Sequence, residues 1–193
     1  MKVLLQVREV AKRYGSRTVL EDATAAFGEG MRVGVLGRNG AGKSTLCRVL
    51  AGVEEPDSGE VIRARDLRLG VLEQHDPWRP GESVMEYLRR RTGLEEWTCG
   101  RAAARFALQA RLDDPVDGLP GGFRTRVKLA ALAALEPEFL VLDEPTNFLD
   151  LATLLLLERF LDGFRGGALV VSHDREFLKR TCDHTLEVER GRL

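Results

Sequence analysis

A chain of 193 residues, 44% hydrophobic and 31% charged, has the size and balance of one domain with a buried core, and its formal net charge of −1 gives no global pull toward nucleic acid or membrane. No run of about 18 apolar residues occurs, and the opening MKVLLQVREVAKRYG is charged too early and too often for a secretory signal, so a cytoplasmic location is expected. Its three cysteines, Cys47, Cys99 and Cys182, lie far apart with no Cys-x-x-Cys spacing, which suggests buried reduced thiols in place of a disulfide framework or a zinc site.

The first thirty residues read as short strands broken by YGSR and GEG turns, which suits an antiparallel layer placed against a parallel sheet. Tyr14, in KRYG, offers an aromatic face on which an adenine can stack; a tyrosine packed at a β-turn is the plainer alternative. The apolar run RVGVLG (32–37) predicts a buried parallel strand. It leads directly into GRNGAGKST, which matches G-x-x-x-x-G-K-[ST] between a strand and a helix, the setting of a phosphate-binding loop. Gly37, Gly40 and Gly42 let backbone amides close around phosphates, Arg38, Asn39 and Ala41 complete the loop, and the helix that follows offers its positive N-terminus. Lys43 would reach the β and γ phosphates, Ser44 would give its hydroxyl to Mg²⁺, and Thr45 would steady the α phosphate. The expected ligand is a nucleoside triphosphate. This helix should close on Gly52 as a C-cap.

Gln74, in LEQ, could touch Mg²⁺ or an attacking water through its amide, although a glutamine after an apolar run means little alone. Residues 75–119 read as mostly helical and Arg-rich, a small helical subdomain in which Arg89, Arg90 and Arg91 suit a solvated helix face. The pair Gly121 and Gly122 in LPGGFRTR precedes a predicted helix over 125–135 with Val127, Ala131 and Leu135 as its apolar stripe. FLVLD (139–143) predicts a second buried strand that surfaces on Asp143 and Glu144. There Asp143 would hold Mg²⁺ through its waters and Glu144 would orient and deprotonate an attacking water. Leu154, Leu157, Leu161 and Phe164 recur at helical spacing. ALVVSHD predicts a third strand leaving at the same sheet edge, where His173 could contact a γ phosphate.

The ordered set KRYG, GRNGAGKST, LEQ, LPGGFRTR, LVLDEPTNFLD and VSHDREF resembles the ATP-binding cassette superfamily over nearly the whole chain. DEPTNFLD and SHDREFL look most like the ABC-F branch, ATPases with two cassettes in one chain, many of which act on ribosomes; transporter cassettes more often read TSALD there. The resemblance implies an α/β P-loop NTPase cassette with a mostly parallel core sheet, an N-terminal antiparallel β layer and a short helical subdomain. A single ABC ATPase domain over 1–193 is implied, with the helical subdomain at approximately 75–120 inserted in a RecA-like core. It also implies ATP and Mg²⁺ as ligands, Tyr14 as the adenine platform, Gln74 as the Q-loop, and Asp143 and Glu144 as Walker B. Asp150 is matched to the D-loop and His173 to the switch histidine. Gly121 and Gly122 would act in trans, bringing amides and a helix N-terminus to the γ phosphate held by a second cassette docked head to tail.

Three positions depart from the family pattern. Pro120 stands where a serine hydroxyl is usual, Phe123 where Glu or Gln is usual, and Phe148 where ABC-F proteins commonly have histidine. Losing one hydrogen bond to a charged group removes about 1.5 to 3 kcal/mol, so impaired rather than absent hydrolysis is expected. The second cassette, linker and long helical arm usual in ABC-F proteins are not evident, which suggests an N-terminal cassette of a longer protein. Two other readings stay open: the ATPase subunit of a transporter, and an ATP-gated binding module with little hydrolysis.

Overall fold

A computed structural model describes residues 2–72, 78–147 and 149–193. Two compact units divide the chain: Met1–Val71 with Pro137–Pro145 and Arg165–Leu193, and Leu72–Glu136 with Thr146–Phe164.

In the first unit, β1 (Val3–Tyr14) and β2 (Arg17–Gly28) form an antiparallel hairpin, and β4 (Ser58–Arg63) adds to it in the order β2-β1-β4. The YGSR and GEG turns fall where the sequence places them, but the strands they separate are 12 residues each, not short. Leu5, Val7, Val10 and Leu20 are buried; irregular register between Val7 and Val10 lets the apolar side continue past the positive-φ residue Glu9. A five-stranded sheet has the order β5-β6-β7-β3-β8, from β3 (Arg32–Leu36), β5 (Leu69–Leu72), β6 (Phe139–Asp143), β7 (Gly167–Val171) and β8 (His184–Glu187). The pairs β3–β7, β3–β8 and β6–β7 are parallel. FLVL and GALVV are buried throughout, as expected of strands covered on both faces.

Helix α1 (Lys43–Ala51) buries Leu46, Cys47, Val49 and Leu50 and stops on Gly52, whose φ of 75° is left-handed. Leu46 and Leu50 join Leu5, Val7, Phe27, Val35, Phe139 and Leu169 in one core, where the Phe27 and Phe139 rings lie 6.1 Å apart. Each such side chain contributes about 1.5 to 3 kcal/mol of burial. Burial, then the nearby Asp143 carboxylate, pushes the Cys47 thiol well above its usual range, so it is an inert core residue.

The second unit is helical: α2 (Val84–Thr92), α3 (Glu96–Arg105), a single 3₁₀ turn (Val116–Gly118), α4 (Gly121–Ala134) and α5 (Leu151–Asp162). Ser83 and Glu86 form a capping box at the start of α2. Arg90 grips buried Glu82 through both carboxylate oxygens, at 2.5 and 2.9 Å. Helix α4 begins four residues before the predicted 125–135 span, because Gly121 to Arg124 take helical geometry without a polar capping side chain to mark the start. In α5 the buried residues are Thr153, Leu157, Phe160 and Leu161; Leu154 is only partly buried and Phe164 follows the helix. No helix among the described residues is long and apolar enough to cross a membrane.

Candidate functional site

Strand β3 ends at Leu36, and the loop that follows turns through Gly37, Gly40 and Gly42, all at positive φ. Gly42, at φ 114°, is the N-cap of α1; a Cβ there would sit 2.6 Å from the Val19 carbonyl oxygen of β2. Strand β2 thus presses on the loop where only glycine fits. The first turn of α1 has no side-chain cap, leaving its N–H groups for another acceptor. Lys43 is 7% exposed, and its Nζ donates to the carbonyls of Gly37 (2.8 Å) and Arg38 (3.2 Å), spanning the loop. Arg17 braces it from outside, Nη2 donating to the Gly40 carbonyl at 2.9 Å.

A cleft of about 360 Å³ opens over this loop, lined by Tyr14, Arg17, Val19, Asn39, Gly40, Gly42, Lys43, Ser44, Thr45, Glu144 and His173. Asp143 ends β6 opposite Val171 of β7, and the Glu144 N–H extends the ladder by donating to the Val171 carbonyl at 2.8 Å. Glu144 itself has φ 50°, a costly conformation for a residue with a Cβ, and such strain concentrates at functional positions. Its side chain is 11% exposed. Oε2 accepts from the His173 backbone N–H at 3.3 Å, while Oε1 lies 3.2 Å from His173 Nε2 without hydrogen-bond alignment and is buried with no hydrogen-bond partner. His173 leaves β7 through the turn Ser172–Asp174, where the Asp174 side chain caps α6 (Arg175–Thr181) by accepting from the Phe177 N–H.

Tyr14, 43% exposed, ends β1 at the rim of the cleft. Its hydroxyl donates to Glu54 Oε2 at 2.6 Å and receives Arg48 Nη2 at 3.2 Å. Of the predicted site residues, Gln74 falls outside the described residues, and the loop 37–45, Tyr14, Glu144 and His173 meet at one cleft. Ser44 and Glu144 are oxygen donors there, and Asp143 immediately precedes Glu144; no cluster of three His, Cys, Asp or Glu occurs among the described residues. Few protein oxygens beside a phosphate site suit Mg²⁺, which keeps waters and takes the rest of its shell from phosphate. The buried unsatisfied oxygen of Glu144 fits a site that receives a polar guest.

In the other unit, Pro120 is the N-cap of α4, again without a side-chain cap. The two glycines that follow differ. A Cβ on Gly121 would meet nothing within 4 Å, whereas one on Gly122 would lie 2.8 Å from Asp150 Oδ2 and 3.2 Å from Thr153 Oγ1. Asp150 caps α5, Oδ1 accepting from the Thr153 N–H at 2.7 Å, and Arg126 reaches both residues. The guanidinium groups of Arg111 and Arg126 both lie over the Phe123 ring, each 4.5 Å from its centroid. That stacking gives the ring a place where Glu or Gln is usual.

A family model described as "ABC transporter" matches residues 20–147. The chain belongs to the ATP-binding cassette family. Within it, the cassette is most like those of the ABC-F branch. It is 32% identical over 228 residues to the energy-dependent translational throttle protein EttA of Mycobacterium tuberculosis, covering 96% of this chain and 40% of that protein. It is 39% identical over 184 residues to the probable ATP-binding protein YheS of Escherichia coli K12, covering 93% of this chain and 29% of that one. The cassette therefore spans two-fifths or less of these relatives. Among solved structures, the ATP-binding subunit of an ABC transporter superposes with a TM-score of 0.87 at 26% identity, covering 98% of this chain and 88% of that one. Cassettes of this family bind ATP with Mg²⁺ and work as pairs.

Three side chains of the cassette's cleft region carried no sequence signal. Arg17, Arg48 and Glu54 belong to no motif and are ordinary surface residue types; only the folded chain brings them to the loop and to Tyr14.

Proposed function

We propose that this cassette binds MgATP at the cleft over 37–45, hydrolyses it with Glu144 as general base, and closes head to tail on a second cassette. The observation that carries this is the meeting of Lys43, Ser44, Thr45, Glu144, His173 and Tyr14 at one cleft. The loop amides and the α1 N-terminus accept the phosphates, and Lys43 exchanges its two loop carbonyls for phosphate oxygens. Tyr14 supplies a stacking face for adenine. Bound Mg²⁺, held by Ser44, Asp143 and Gln74 with waters, would neutralise phosphate charge. Glu144 Oε1 accepts a proton from water as the water oxygen attacks the γ phosphorus. The bond from that phosphorus to the ADP oxygen breaks, giving ADP and phosphate. His173, against the same carboxylate, contacts the γ phosphate.

Gly121 and Gly122 serve the partner's nucleotide, and Asp150 contributes the D-loop. Pro120, lacking a hydroxyl and an amide donor, slows hydrolysis. A cytoplasmic role on the ribosome completes the proposal; its support is the likeness to ABC-F cassettes and a relative named as a translational throttle.

Two observations favour other readings. The cassette covers 88% of a transporter's ATP-binding subunit, which supports a transporter role tested by co-purification with a membrane protein. Pro120 at the start of α4 supports an ATP-gated module with little turnover, which a phosphate-release assay separates.

The test is the light-scattering mass of Glu144→Gln with and without MgATP. Turnover should fall about 10²- to 10⁴-fold, trapping the closed pair, and the mass should double with MgATP. A variant that binds ATP yet stays single would overturn self-pairing and point to a different second cassette.

A further inference from the structure

Glu54 lies just beyond α1, in no recognised motif. Gly52 turns the chain in the left-handed conformation, and the Val53 and Glu54 N–H groups return to the Arg48 carbonyl at 3.0 and 3.3 Å. That turn brings the carboxylate back beside its own helix and the end of β1. Its Oε2 receives both the Tyr14 hydroxyl at 2.6 Å and Arg48 Nε at 3.1 Å, and Oε1 lies 3.6 Å from Lys12 Nζ. The side chain is only 20% exposed. Arg48 Nη2 reaches the Tyr14 hydroxyl at 3.2 Å and Thr45 Oγ1 at 3.4 Å. The phenol is thus saturated: it donates to Glu54 and accepts from Arg48, while Tyr14 remains 43% exposed at the cleft.

We infer that Glu54 is a positioning residue, which, together with Arg48, fixes Tyr14 in one orientation. This rests on the reading of the cleft as an ATP site. Burial pushes the Glu54 carboxyl up, but hydrogen bonds from Tyr14 and Arg48 and the charges of Arg48 and Lys12 outweigh it, leaving it below its ordinary value. The anchor is therefore a carboxylate at neutral pH, suited to two donors at once. An unanchored tyrosine at a strand end would lose rotamer freedom when a base stacks on it. Here that loss is already incurred on folding, a gain of about 3- to 10-fold in affinity.

The test compares titration calorimetry of ATP and of inorganic tripolyphosphate, which has no base, on the wild-type cassette, Glu54→Ala, Glu54→Gln and Tyr14→Phe. Glu54→Ala and Tyr14→Phe should each weaken ATP about 3- to 10-fold and leave tripolyphosphate unchanged; Glu54→Gln, whose amide oxygen still accepts a hydrogen bond from the phenol, should recover part of the loss. The double variant Tyr14→Phe/Glu54→Ala should be no weaker than either single one. Equal losses for both ligands would make Glu54 a mere prop of α1 and overturn the inference, as would unchanged ATP affinity in Glu54→Ala. A wild-type cassette that binds neither ligand would overturn the ATP site itself and the inference with it.

Discussion

Helices α1 and α4 start alike and are furnished differently. Each starts without a side-chain cap, α1 behind Gly42 as its N-cap and α4 on Gly121 behind Pro120, so each presents bare N–H groups and the positive end of a helix. Around the first turn of α1, the same unit supplies a buried lysine, a strained glutamate, a histidine and an exposed tyrosine. At α4 the first glycine faces open space; Arg126 is engaged with Thr153 and Asp150 and Arg111 with Phe123, while Arg124 donates through Nη2 to the Asp117 carbonyl and leaves its buried Nε without a hydrogen-bond partner. A helix N-terminus becomes a reactive site only where other segments bring a cation and a base to it. The proposal that α4 serves a partner's nucleotide turns on this contrast, since the missing groups would arrive with the partner.

The same substitution at the two starts sharpens the contrast most. Gly42→Ala forces a Cβ toward the Val19 carbonyl at 2.6 Å and holds alanine at φ 114°. It should cost about 2 kcal/mol in urea unfolding and abolish detectable ATP binding by calorimetry. Retention of both would mean the loop adjusts freely and that the tight contact with β2 does not define the site.

Much of α1's surroundings was legible because its signals are contiguous. GRNGAGKST occupies one stretch, and the buried strands before it and before Glu144 and His173 are continuous apolar runs. Strands β4, β5 and β8 were not legible: β4 and β8 are largely exposed edges without an apolar run, and β5 is four residues long. Glu54 and Arg17 act at a distance along the chain, through side chains whose types carry no signal. The start of α4 lies four residues before the one the sequence predicts because Pro120 and two glycines read as a turn, while the backbone already runs helically there. From the sequence, Gly122 reads as an amide donor to a phosphate or a turn former; that it also leaves room for Asp150 is visible only in the fold.

Asp150 offers a smaller effect on the α4 side. Hydrogen bonds from the Thr153 N–H and hydroxyl, with Arg126 nearby, hold its carboxyl below the usual value of 3.8. A depressed folded value means the cap contributes fully above 3.8 and is lost as pH falls through the lower folded value. Asp150→Ala should cost about 1 kcal/mol at pH 7, and the difference from wild type should shrink only in that acidic window. A difference that is flat with pH would show that the carboxylate does not carry the cap.

The smallest effect separates the two glycines of α4. Gly121→Ala places a methyl in open space within a helix, so it should leave stability unchanged or raise it by about 0.5 kcal/mol, because alanine is the better helix former. Gly122→Ala pushes on the Asp150 carboxylate and Thr153 and should cost about 1 kcal/mol, the worth of a displaced cap. Stability alone therefore identifies Gly122 as a structural glycine, which also serves its own fold. Gly121 has no such contact within its own chain. In the Glu144→Gln background, Gly121→Ala should weaken MgATP-dependent doubling of mass while unfolding at the same urea concentration as its parent. If pairing is unchanged, the start of α4 is a helix start and nothing more, and the resemblance between the two glycine-led helices ends at their backbone.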